Sequence, residues 1–115
     1  MSQSIPKNLA RRLDEMDEQF ESVGTQLMDP EILSDHNQVR TLSIKRAALE
    51  GPVLRWREVR RIEAETAELE EAIAKGEDQE LIIMAKEELP ELRASRLQLV
   101  EAVKTELVTA EDKAV

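Results

Sequence analysis

The chain has 115 residues and a formal net charge of −9, with 16 Lys and Arg residues against 25 Asp and Glu residues. This length allows one domain at most, and an aromatic content of 2% without tyrosine argues against an all-β protein. Because the chain has no cysteine, we exclude disulfide scaffolds, Cys-based zinc sites and thiol chemistry. No apolar run approaches the ~20 residues of a bilayer span, and the N-terminus has no apolar signal core. We therefore expect a cytoplasmic protein without membrane contact.

The first predicted helix covers residues 5–23, where apolar residues recur at spacings of three and four. These apolar residues are Ile5, Leu9, Leu13, Met16, Phe20, Val23 and Leu27. Gly24 is expected to weaken or end this helix. A short helical turn then begins, with Asp29 as its cap and Pro30 in the first helical position.

Two further signals of helix boundaries follow the short turn. Asp35 offers a second helix cap, and Gln38 stands three residues later in a capping-box-like arrangement. The helix that follows is expected to reach Glu50. Gly51 and Pro52 are then expected to stop it and to open the next helix.

A long helical hairpin is the main architectural prediction. Residues 53–75 form its first arm, with a coiled-coil seam of Val59, Ile62, Thr66, Leu69 and Ile73. Lys75 and Gly76 predict the end of that arm, and Asp78 caps the returning helix. The short turn makes the two arms antiparallel neighbours. Pro90 predicts a kink in the second arm rather than a clean break.

The predicted fold class is therefore all-α. The N-terminal helix and the short helices pack on the antiparallel, coiled-coil-like hairpin. Residues 1–108 form this helical domain, and residues 109–115, which lack apolar periodicity, form a linker or a frayed C-terminus.

Catalytic and metal-binding chemistry is not predicted. The single histidine, His36, lacks the convergent ligands that a zinc site needs, and we interpret it as solvated. The acidic residues of the first arm fit solvated outer faces better than paired catalytic carboxylates; they are Glu63, Glu65, Glu68, Glu70 and Glu71. The three glycines lie far apart, so no phosphate-binding loop is present. We expect no enzyme, no metal, no cofactor and no small-molecule substrate.

Basic residues are concentrated around Gly51, and we call this set the basic corner. Its members are Arg40, Lys45, Arg46, Arg55, Arg57, Arg60 and Arg61. Such a set can contact RNA phosphates or an acidic protein surface. The alternative is pairing within the chain, for example of Arg61 with Glu65. Trp56 likewise has two interpretations, as an anchor for a partner or as a side chain packed inside the protein.

Three stretches in order resemble bacterial class I peptide chain release factors of the release factor 1 type. Residues 27–35, LMDPEILSD, resemble the family's "DPE…D" helix-turn. Residues 40–50 are similar to its "R-x-L-S…L-E" helix, and residues 84–89 read MAKEEL, as in that family. The resemblance covers nearly the whole chain but only the N-terminal helical domain of the family.

This resemblance implies a function in translation termination, which is the stop-codon-directed release of the nascent peptide on the ribosome. The sequence contains neither the family's Gly-Gly-Gln loop nor its Pro-x-Thr codon-reading tripeptide. We therefore expect a non-catalytic module that docks on the ribosome and on translational factors. Arg55, Arg57, Arg60 and Arg61, here called the arginine cluster, are the candidate contact residues, and they could also touch ribosomal RNA. The alternative is a free-standing coiled-coil adaptor or chaperone-like protein.

Overall fold

The computed structural model describes the backbone of residues 5–114 and the side chains of residues 5–108. The chain forms four helices, α1 (Lys7–Gln26), α2 (Pro30–Leu33), α3 (His36–Lys75) and α4 (Gln79–Ala114). No strand occurs among the described residues, which confirms the all-α prediction. In that part of the chain, no helix is both long enough and apolar enough to cross a membrane. The residues group into two compact units, unit 1 (Met1–Leu54) and unit 2 (Arg55–Val115).

Helix α1 buries three of the seven residues of the predicted apolar stripe and continues past its predicted end. Leu13, Phe20 and Val23 are buried. The expectation that Gly24 ends the helix is wrong, because α1 extends to Gln26. A glycine ends a helix when it adopts a positive φ, and Gly24 does not do so. It therefore remains an ordinary interior position of the helix.

Aspartate side chains cap α2 and α3, as the sequence predicts. The Asp29 carboxylate accepts a hydrogen bond from the Glu31 N–H at 3.0 Å. Asp35 Oδ1 accepts from the N–H groups of Asn37 and Gln38 at 3.0 and 3.3 Å. Gln38 Nε2 donates to the other Asp35 oxygen at 2.9 Å, so the two side chains bond to each other. These bonds, led by the one from the Gln38 side chain, lower the pKa of Asp35.

Pro52 lies inside α3, which corrects the prediction of a helix end at Gly51 and Pro52. The helix is continuous from His36 to Lys75. Leu49 and Val53, on either side of the proline, are buried in a cluster with Phe20. An interior proline costs about 3 kcal/mol, whereas burial of each such apolar side chain contributes about 1.5–3 kcal/mol. Packing of the surrounding turn therefore offsets the lost backbone hydrogen bond.

The tip of the hairpin in unit 2 is built as predicted. Lys75 Nζ lies 3.2 Å from Glu71 Oε1 in the last turn of α3. Gly76 follows with a φ of +63°, the left-handed conformation that favours glycine. Asp78 then caps α4 by accepting from the N–H of Glu80 at 3.0 Å. Each of these features depends only on residues close in sequence.

The α3 side of the seam between the two arms is more buried away from the tip. On α3, Val59 and Ile62 are buried, whereas Thr66, Leu69 and Ile73 are half-buried. The buried residues of α4 are Ala85, Leu89, Val100, Val103 and Leu107. The predicted coiled-coil-like contact is thus present along α4, from Ala85 near the tip to Leu107 at the base.

Helix α4 contains Pro90 without a break and continues to Ala114. Pro90 itself is exposed, so the carbonyl group that loses its helical partner, that of Lys86, belongs to an exposed turn. Residues 109–114 extend this helix beyond the last predicted apolar position. The domain boundary after residue 108 stays a prediction.

Candidate functional site

The arginine cluster lies at the start of the part of α3 that belongs to unit 2. Because successive helical residues are rotated by about 100°, Arg57, Arg60 and Arg61 fall within an arc of about 100°. Arg55 lies more than about 100° outside that arc. The four side chains therefore do not form one flat basic face.

Arg61 is held by two carboxylates of its own helix. Its Nε donates to both oxygens of Glu58 at 3.1 Å, and its Nη2 donates to Glu58 Oε1 at 2.6 Å. Nη1 donates to Glu65 Oε2 at 2.8 Å. The bonds with Glu58 raise the pKa of Arg61, and the same contact lowers the pKa of Glu58. The pairing of Arg61 with Glu65, which the sequence left open, is observed.

The other three arginines also have neighbours. Arg55 pairs with Glu106 of α4. The Arg60 guanidinium lies over the Trp56 ring, 4.9 Å from its centroid. Arg57 is half-buried and also has an interaction partner. Since Trp56 is only 3% exposed, its interpretation as an anchor for a partner is not supported.

The remaining residues of the basic corner all lie in unit 1, on the part of α3 before Gly51. Arg46 belongs to unit 1, where its guanidinium lies 4.8 Å from the centroid of the Phe20 ring. Arg40 and Lys45 are exposed in the same unit. The corner that Gly51 and Pro52 were expected to create does not form, so proximity in sequence gathers these cations only along one helix.

Two acidic residues assigned to solvated faces take part in the hairpin instead. Glu63 accepts from Arg96 Nε at 3.0 Å, and Glu70 lies 3.3 Å from Arg93 Nη2. Sequence reasoning missed Arg93 and Arg96 because their partners lie on the other arm. The predicted antiparallel arrangement of the arms makes such pairs possible, but only the register seen in the structure brings Arg96 to Glu63.

No group of His, Cys, Asp or Glu residues in the described part of the chain could hold a metal ion. His36 is exposed in the first turn of α3. In the arginine cluster, the guanidinium groups of Arg55, Arg60 and Arg61 are exposed on a helical support, an arrangement that can contact a partner electrostatically.

The sequence of the chain is similar to known proteins of one family. Residues 16–115 match the PCRF domain family. The chain is 34% identical to peptide chain release factor 1 of Staphylococcus haemolyticus over 97 residues, which is 84% of this chain and 27% of that protein. It is 35% identical to peptide chain release factor 1 of Halalkalibacterium halodurans over 91 residues, 79% of this chain and 25% of that protein. No solved structure matches the chain. The chain spans about a quarter of the length of these curated relatives.

Proposed function

Because this chain belongs to the PCRF domain family and resembles the N-terminal part of peptide chain release factor 1, we propose that it acts in translation termination as a non-catalytic docking module. The match across residues 16–115 is the observation that carries this proposal. The relatives are named as release factors, and we extend a function in translation termination to this chain on the basis of this similarity. The proposed location is the cytoplasm, where ribosomes work.

The chemistry of the residues supports a docking role rather than catalysis. The three glycines stand apart at positions 24, 51 and 76, so this sequence contains no Gly-Gly-Gln. The described residues show a helical hairpin fixed by caps, a seam and ion pairs. A rigid helical element of this kind positions surface groups for a partner.

We assign the contact with the ribosome to the arginine cluster. Arg55 and Arg61 keep 44% and 58% of their side-chain surface exposed although both are paired. An exposed ion pair contributes at most about 1 kcal/mol, so a phosphate group can compete with the carboxylates for these guanidinium groups. Ribosomal RNA offers such phosphates at high density.

The test is the binding of the 115-residue chain to bacterial ribosomes, measured by co-sedimentation over a range of salt concentrations. A variant with all four cluster arginines changed to Gln is expected to bind about tenfold or more weakly at low salt. Its plot of log K against log salt concentration is expected to lose about one unit of slope for each phosphate contact removed.

The matched control changes four exposed cations of unit 1 to Gln, which alters the net charge equally. These are Lys7, Arg11, Arg40 and Lys45. The assignment requires the control to bind more tightly than the cluster variant. Equal weakening by the two variants would show a non-specific effect of charge, and unchanged binding of the cluster variant would refute the contact.

A further inference from the structure

Two open clefts lie on one side of the hairpin in unit 2. A cleft of about 420 Å³ at the tip is lined by Glu68, Glu71, Ala72, Glu77, Asp78 and Leu81, together with Lys75. A second cleft of about 280 Å³ is lined by Glu65, Glu88, Glu91, Leu92 and Ser95. Positions three, four or seven residues apart share a helix face. One residue of each cleft lies on the same face of α3, because Glu65 and Glu68 are three positions apart. The same holds on α4, where Leu81 and Glu88 are seven positions apart. Both clefts therefore lie on one side of the hairpin, and we call them together the acidic groove.

Large apolar side chains are exposed beside this groove. Leu81, Ile83 and Met84 have exposed fractions of 43%, 58% and 55%. With a rotation of about 100° per residue, Met84 lies about 60° from Leu81 and about 100° from Ile83. These three residues thus define one arc of the first turns of α4.

Every charged residue within that arc is acidic. Between Ile83 and Leu81 around the helix lie Glu80, Glu87, Glu88 and Glu91. Lys86, the one cation among residues 80–91, lies outside the arc, about 60° beyond Ile83. The exposed apolar surface is therefore bordered by negative charge both on α4 itself and across the groove on α3.

We propose that the acidic groove, with Leu81 and Met84 as apolar anchors, binds a basic amphipathic segment of another protein. Charge complementarity selects the occupant, since a segment rich in Lys and Arg meets carboxylates along the groove. Nucleic acid is excluded as the occupant because these carboxylates repel phosphates. A partner helix with apolar residues at spacings of three and four can cover Leu81 and Met84 while its basic face meets the groove.

This inference concerns a different partner surface from the proposed function, since the groove residues are carboxylates and apolar side chains; Glu65 alone connects the two, because it also accepts a hydrogen bond from Arg61. The probe is a synthetic helix-forming peptide with Leu at spacings of three and four and Lys at the other positions. Its fluorescence anisotropy is measured with the 115-residue chain, and a peptide with Glu in place of Lys serves as the opposite-charge control. The basic peptide is expected to bind, more weakly as salt is added, and the acidic peptide is not.

Apolar anchoring is tested with the double variant Leu81→Ser and Met84→Ser. Both side chains are substantially exposed, so the hairpin is expected to keep its circular dichroism spectrum and melting temperature. Loss of the two anchors is expected to weaken binding about tenfold. The matched control, Leu97→Ser with Val108→Ser, changes two exposed apolar residues of the same helix that lie more than about three turns beyond Met84. It is expected to change affinity less than about twofold.

The charge contribution is tested with Glu68→Gln, Glu77→Gln and Glu91→Gln. This triple variant is expected to bind the basic peptide about three- to tenfold more weakly at low salt, with the difference shrinking at high salt. A control of equal net charge, Glu18→Gln, Glu31→Gln and Glu50→Gln, removes exposed carboxylates of unit 1. Equal affinities of groove and control variants would overturn the proposal, as would binding of the acidic peptide. The arginine-cluster variant frees Glu65 from Arg61 and makes the chain more negative, so it is expected to bind the basic peptide at least as tightly as the unmodified chain does. Weaker binding of ribosomes without weaker binding of the peptide separates this inference from the proposed function.

Discussion

Gly24 and Gly76 have different backbone conformations, helical at Gly24 and left-handed at Gly76. Gly24 lies inside α1 with helical geometry, and a Cβ atom added there would meet nothing within 4 Å. Gly76 has a φ of +63°, a conformation in which an L-residue brings its Cβ close to the following carbonyl oxygen. The same substitution at the two positions is therefore expected to have effects of opposite sign.

We expect Gly24→Ala to stabilise the chain by about 0.5–1 kcal/mol, because alanine has less conformational entropy to lose on folding. Gly76→Ala is expected to destabilise it by about 1–2 kcal/mol. Urea denaturation followed by circular dichroism measures both values. A shift of the two midpoints in the same direction would contradict this interpretation of the glycines.

Arg61 shows what a single residue's neighbours in sequence can reveal about the candidate site. Its bonds to Glu58 and Glu65 join residues three and four apart, a spacing that any helix brings together. The pairs of Arg55 with Glu106 and of Arg96 with Glu63 connect different helices. Those pairs depend on the register of the hairpin, which the local sequence does not specify.

At the scale of elements, helix ends show the same difference between features that depend on residues close in sequence and features that depend on distant ones. The caps at Asp29, Asp35 and Asp78 were predictable, since each side chain bonds to N–H groups two or three residues away. The continuity of α3 through Pro52 was not, because it depends on packing against Phe20, about thirty residues earlier. Side-chain caps close in sequence thus determine where helices begin, whereas burial against distant residues determines whether a helix continues through a proline.

The Asp35 cap makes the N-terminus of α3 sensitive to acid. The pKa of Asp35 is lowered in the folded state, chiefly by the Gln38 side chain, relative to about 3.9 in an unfolded chain. Its contribution to stability is therefore complete above the unfolded value and is lost as the pH falls through the folded value. Asp35→Ala is expected to lower the melting temperature at pH 7 and to have little effect at pH 2.

Thermal unfolding of the two chains at both pH values, followed by circular dichroism, checks this expectation. Asp35→Asn is a useful control, because asparagine can accept the same N–H bonds without titrating. A difference between Asp35→Ala and the unmodified chain that is as large at pH 2 as at pH 7 would argue against the carboxylate as the cap.

The two inter-arm ion pairs near the middle of the hairpin differ in exposure. In the Arg96–Glu63 pair, the side chains are 19% and 36% exposed, whereas those of Arg93 and Glu70 are 54% and 55% exposed. Double-mutant cycles to alanine are expected to give a coupling of about 0.5–1 kcal/mol for Arg96 with Glu63 and less than about 0.3 kcal/mol for Arg93 with Glu70. Equal couplings would show that burial does not control their strength.

At the scale of the whole molecule, burial of the seam argues against the adaptor alternative to the proposed docking function. An adaptor that grips clients between its helices needs accessible seam residues, but Val59, Ile62, Val103 and Leu107 are buried. We expect the chain to sediment at its monomer mass of 13.1 kDa over a wide concentration range. A mass that rises with concentration would favour self-association and the adaptor.

Pro52 has a consequence for the exchange of backbone amide hydrogens with solvent. Proline carries no amide hydrogen, so the helical ladder of α3 lacks the bond to the carbonyl of Ala48. Local opening on one side of this gap does not require the missing bond to break, and amides before and after it can exchange through separate fluctuations. We therefore expect the parts of this continuous helix before and after Pro52 to exchange their amide hydrogens at separate rates.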